Sequence, residues 1–353
     1  MRFVKSALLA STLLSTSTLA AQADIKVVAS IKPVHSLVAA VMTGVGTPEL
    51  IVQGAGSPHT YALKPSQAQN LENADVVFWI GHELEAFLEK PLEAIATKAK
   101  TVELLDAHGL NKLEFREGGA FDEHDHEDHD DHAEDKHDDH DHDDHAEDKH
   151  DDHDHDEHAE DKHDDHDHEE HAGHDEHDHG EFDPHVWLDP VNAKALVHEI
   201  EETLAEADPA NAAKYEANAK AVSAKLDTLV GEVTAQLEPV KGKGFIVFHD
   251  AYQNFENRFG LSAVGSITVS PEVLPGAERI SELQKKVQDL SAICVFSEPQ
   301  FEPKLVTTVT EGTFAKTGVL DPLGTSIEDG PELYFTLIKD MAVSFKTCLS
   351  EAS

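Results

Sequence analysis

Residues 122–181 carry almost no apolar side chain, which separates the parts of this chain that can fold from a part that cannot. Ordering a backbone costs about 1–2 kcal/mol per residue, and this stretch has nothing to bury in compensation. It is also repetitive. HAEDKHDDHDH begins at His132, His145 and His158, and His171 opens a degraded fourth copy. Solenoid repeats hold together by stacking apolar faces, which these lack, so a disordered loop is expected. The loop contains 19 of the 26 histidines and 32 acidic residues against three lysines. Of the net charge of −43 it carries −29, leaving −14 on the rest, which is acidic but ordinary. Phosphate repels such a surface, which excludes a nucleic-acid partner.

On either side of the loop, strand and helix signals alternate. Before it, apolar β-branched runs at 25–31, 49–52 and 76–80 predict strands, and 33–43, 64–73 and 83–98 predict helices. After it comes a long helical region whose strongest segment runs from Pro209 to Leu237, with Asp208 as a suitable N-cap. Tyr215, Val222, Leu226, Leu229 and Val233 keep to one face of that segment. Strands are then expected at 245–248, 261–269, 292–297 and 318–320, with helices at 251–259, 277–290, 304–316 and 331–349. Continuous apolar strands between helices point to parallel sheets covered by helices. The expected fold is α/β: an N-terminal lobe over residues 24–207, a linking helix over 208–238, and a C-terminal lobe over 239–353. The helix is long enough, at ~1.5 Å per residue, to brace both lobes.

The first residues read as an export signal. Arg2 and Lys5 precede an apolar run, and Ala21-Gln22-Ala23 has the small-x-small pattern of a cleavage site, so Asp24 would be the mature N-terminus. The apolar run falls short of the ~20 residues that span a bilayer, and no later stretch qualifies. An exported chain meets oxidants. Its two cysteines, Cys294 and Cys348, therefore form either one disulfide or two buried thiols.

Seven histidines lie outside the loop, and three of them stand at strand-to-loop junctions or where the loop returns. His59 lies in GAGSPHTYALKPS, His185 in FDPHVWLDP, and His249 directly follows FIVF. Asp321, after the strand that ends in VL, occupies an equivalent place in the second lobe. Open α/β sheets bind ligands at the carboxyl ends of their strands. Three neutral imidazoles with a carboxylate or water suit tetrahedral zinc, at bonds of ~2.0–2.2 Å. Taken singly, each junction histidine is more often a loop hydrogen-bonder. The constellation gains weight from the metal-binding loop beside it. His35 and His82 read as capping or core residues, and His108 and His198 as surface positions. Trp187 and Phe248 read as packing. Asp183, Asp189 and Asp250 are candidates to orient the imidazoles, or to cap helices.

PHTYALKPS, FDPHVWLDP, FHDAYQNFENRFGL, FSEPQF and LDPLG, in this order, closely resemble the ZnuA-type periplasmic zinc-binding proteins of bacterial ABC importers. The likeness runs over nearly the whole mature chain, the His/Asp-rich insert included. It implies a periplasmic protein whose two lobes are held by one rigid helix. It further implies His59, His185 and His249 as zinc ligands, Asp321 at or near the fourth corner, and a Cys294–Cys348 bridge. Some relatives carry a glutamate just before the first ligand, where this chain has Pro58, so Asp321 or water is expected to complete the shell. Manganese-binding relatives have a carboxylate in place of His249, and an imidazole there favours zinc.

The resemblance implies a binding protein that captures zinc and delivers it to a membrane permease, not an enzyme. A monomer without stable membrane insertion is expected. HExxH, nucleophile-elbow and phosphate-loop motifs are all missing from the sequence. Two alternatives stand behind this reading: a periplasmic storage or chaperone protein without a transporter, and a manganese or iron importer's binding protein. For the loop, a collecting or sensing role stands level with that of a merely solvated charged tail.

Overall fold

The computed structural model describes residues 25–116, 121, 182–268, 276–289 and 292–350. The expected export signal and the expected disordered loop lie outside these residues. The first sheet is built from Val27–Ala29 (β1), Glu49–Leu50 (β2), Val76–Trp79 (β3) and Lys100–Glu103 (β4). Helices Lys32–Val41 (α1), Pro65–Glu72 (α2) and His82–Ala94 (α3) connect them. All pairs are parallel, in the order β2-β1-β3-β4. Strands such as β3, reading VVFW and buried throughout, are apolar on both faces because helices cover both. β4, whose sequence KTVE lacks a continuous apolar run, is a strand that periodicity alone did not reveal. It forms by pairing with β3 as the edge of the sheet.

Two long helices follow, Pro190–Ala207 (α4) and Ala212–Leu237 (α5). The second sheet then repeats the first one's plan. Its strands are Phe245–His249 (β5), Gly265–Thr268 (β6), Cys294–Val295–Phe296–Ser297 (β7) and Lys316–Val319 (β8), ordered β6-β5-β7-β8 and again all parallel. Its helices are Gln253–Phe259 (α6), Ala277–Asp289 (α7), Lys304–Thr310 (α8) and Leu333–Ser350 (α9). The expected α/β architecture is observed, as two parallel four-stranded sheets flanked by helices.

α5 is the brace. Tyr215, Ala219, Val222, Leu226, Leu229, Val233 and Leu237 are its buried stripe, as the helical spacing predicts. That stripe packs against α1 and α4 on one side and against α6 and α9 on the other. Asp208 does not play the expected N-cap part. It ends α4 instead, and α5 begins three residues beyond Pro209 without a side-chain cap. The Asp208 carboxylate accepts hydrogen bonds from the Tyr215 hydroxyl, 2.9 Å, and the Asn211 amide, 2.7 Å, pinning the turn between the two helices. Asp189 supplies the N-cap of α4, accepting from the Val191 amide at 2.8 Å. Cys294 and Cys348 form a disulfide, with Cα atoms 6.1 Å apart, that ties α9 to β7.

Candidate metal centre

His249 is the last residue of β5, which lies beside β7, and the connections that follow these two strands leave in opposite directions. A crevice opens at such a switch point, beside the carboxyl ends of the strands. His59 lies in the loop between β2 and α2. His185 directly precedes a short 3-10 turn at Val186–Leu188, and that turn leads into α4. The three side chains converge. Each offers a ring nitrogen within 4.8 Å of the others', and His185 Nε2 and His249 Nε2 are 3.4 Å apart. Two nitrogens on a tetrahedral zinc, each ~2.0–2.1 Å from the metal, stand about 3.4 Å apart.

Carboxylates set the tautomers. Asp183 Oδ1 accepts from His185 Nδ1 at 2.8 Å and from the His185 amide at 3.0 Å. Glu298 Oε1 lies 2.7 Å from His249 Nδ1. With Nδ1–H donated in each ring, both Nε2 atoms present lone pairs to one point. Facing lone pairs at that range repel unless a cation or proton stands between them. Burial, and then the neighbouring His249, hold His185 well below the usual imidazole range, which keeps it neutral. Burial also acts to lower His249, but the carboxylates of Glu298, Asp250 and Asp183, Glu298 foremost, more than offset this and raise it above its usual range. Burial raises Asp183 to about 7. Trp187, Phe301 and Leu323 complete the wall of the pocket.

Asp183 is also tied to the segment at 113–114 that precedes the insert. Its amide donates to the Leu113 carbonyl at 2.8 Å, and Phe182 bridges to Glu114. Asn254 donates to its other oxygen at 3.0 Å. Arg116 forms ion pairs with Asp250 and Glu256 on the second lobe. Asp250 therefore serves that ion pair, while Asp189 caps α4 and pairs with Arg258; of the three aspartates considered for orienting an imidazole, Asp183 does so. Asp321 lies outside the cluster of converging ligand atoms. Its oxygens accept from the Leu323, Gly324 and Thr325 amides at 2.6–3.1 Å and from Gln300 at 2.9 Å. Glu298 was not singled out in the sequence. The signal that found His249, a polar residue at the carboxyl end of an apolar strand, applies equally to it.

His35 is buried in α1 and reaches the Pro48 carbonyl, as a core histidine would. His108 and His198 are exposed. Trp187 donates from Nε1 to the Pro322 carbonyl, and Phe248 stacks on Phe301, so both pack as expected. A second group, His82, Glu83 and Glu103, lies at the carboxyl ends of β3 and β4, but its imidazole is 45% exposed and the set is open to water.

A family model described as "Zinc-uptake complex component A periplasmic", ZnuA, matches residues 27–348. The chain belongs to this family. It is 60% identical to the "High-affinity zinc uptake system protein ZnuA" of Brucella suis biovar 1, over 92% of each chain. The protein of the same name from Yersinia pestis is 36% identical, over 99% of this chain and 98% of its own. A crystal structure of ZnuA superposes with a TM-score of 0.65 at 23% identity, covering 92% of this chain and all of that one, and so shares the fold. The family is one of periplasmic transport components. Pro58, directly before His59, has no side-chain donor to offer.

Proposed function

We propose that this chain captures zinc in the periplasm and delivers it to the permease of an ABC importer, with His59, His185 and His249 as ligands. The observation that carries the reading is the Nε2–Nε2 separation of 3.4 Å between two imidazoles whose other nitrogens are held by carboxylates. Zinc is the cargo, and binding it needs no covalent chemistry. Three neutral nitrogen donors favour it over manganese, which prefers oxygen. The fourth position falls to water or to Asp321. Water suits the arrangement better, because Asp321 already accepts several hydrogen bonds from its own loop. The site serves binding, not catalysis. The mature chain begins at Asp24 after export and works as a monomer, with lobes over 24–207 and 239–353 about the helix at 208–238. The insert at 122–181 collects zinc through many weak histidine–aspartate donors.

Metal competition decides the reading. Zinc, manganese and copper(II) titrated into protein lacking residues 122–181 should give one tight zinc site per chain. A deletion protein that holds zinc no better than manganese overturns the proposal.

A further inference from the structure

The pocket brings a second sequence-distant group to the ligands. Glu298 directly follows β7, next to β5 in the sheet, so it sits across the switch point from His249. Its side chain is only 1% exposed. Oε1 accepts from His249 Nδ1 at 2.7 Å and from the His249 amide at 3.4 Å, Oε2 is buried, and the Tyr252 hydroxyl is the other polar group that interacts with the carboxylate. No basic side chain forms an ion pair with this buried carboxylate among the described residues apart from His249 itself. Desolvation of an unsatisfied polar or charged group costs on the order of 1–3 kcal/mol or more. The cost is recovered when a cation arrives nearby.

We propose that Glu298 is a positioning residue for metal capture: it fixes the tautomer of His249 and supplies a buried negative charge that the bound dication neutralises. This rests on the ligand set proposed above. Three neutral imidazoles bring no charge to a buried divalent ion. Glu298, acting through His249, therefore trades stability of the metal-free protein for stability of the loaded one, and it favours a doubly charged cargo over a singly charged one. Orientation and charge separate in two substitutions. Glu298→Gln keeps an oxygen that can accept from Nδ1–H but loses the charge. Glu298→Ala loses both.

The test uses the full-length mature protein. A zinc chelator strong enough to strip the weak donors of the insert is present, so that only the tightest site is read. Zinc affinity should fall about 10–100-fold in both variants, the range typical of outer-shell partners, with alanine the more damaging. Metal-free Glu298→Gln should melt no lower than wild type, because a buried charge has gone. Cobalt(II), bound as a visible probe, should show a shifted d–d spectrum in Glu298→Ala. If Glu298→Gln binds zinc as wild type does, the role is overturned. A melting temperature of metal-free Glu298→Gln that drops in step with affinity overturns it too, by marking a plain packing residue. Should wild type itself fail to hold zinc against the chelator, the ligand set fails and this inference falls with it.

Discussion

Replacing His185 or His249 by alanine removes one of the two nitrogens already spaced for a tetrahedral ion. Each change, and His59→Ala, should weaken tight zinc binding by more than the ~10–100-fold cost of an outer-shell change, read by chelator competition. Replacing any single histidine of the insert should leave it unaltered. The pH dependence follows from the same residues. A proton on Nε2 excludes the metal, so affinity must fall as pH falls. Carboxylates led by Glu298 raise His249, so its proton competes with the metal at higher pH than a free imidazole's would; burial lowers His185, which therefore competes only at lower pH. Affinity measured between about pH 5.5 and 7.5 should decline steeply on the acid side. A flat profile would contradict a histidine site. At this scale the three imidazoles were legible in the sequence, because junction histidines stand out. Asp183 was one of three candidates, and only hydrogen-bond geometry separates it from Asp189 and Asp250.

At the scale of elements, α3 begins under strain of charge. Glu85 is fully buried at an irregular point of the helix, with φ −119° and ψ 52°. It accepts from the Ile80 and Gly81 amides at 2.9 and 3.1 Å. Burial nonetheless raises its pKa from 4.5 to about 7. The folded state therefore holds this proton more tightly than the unfolded one, and stability drops as pH rises from 4.5 towards 7. Above that window the penalty is complete, on the order of a few kcal/mol. Urea midpoints of Glu85→Gln should be flatter than wild type across this window and higher at neutral pH. The disulfide is the second element-scale device, closing a separation of 54 residues between β7 and α9. Cys294→Ser with Cys348→Ser should cost about 4 kcal/mol in the chain-entropy model, seen as a lower melting temperature. Most helices and strands were visible as apolar periodicity. β4 was not, because an edge strand with KTVE draws its stability from its neighbour, not from its own pattern.

For the molecule as a whole, α5 is packed along its length by helices of both lobes, so opening the lobes as rigid bodies would expose its buried stripe. Zinc loading should therefore change local loop positions and leave the radius of gyration of the insert-deleted protein nearly constant in small-angle scattering. A contraction of several ångström would sink that view. Sequence by itself determined the α/β class, the apolar seam of α5 and the compositional break at 122–181, and it offered His59, His185 and His249 as candidate donors. These follow from local chemistry: period, charge and the placing of polar residues at strand ends. Tertiary structure alone decided which donors meet. His185 and His249 are 64 residues apart and His249 and Glu298 are 49 apart, and no local rule relates them. Their meeting depends on the strand order of the second sheet and on α5 holding that sheet against the first, which are properties of packing and not of any one segment.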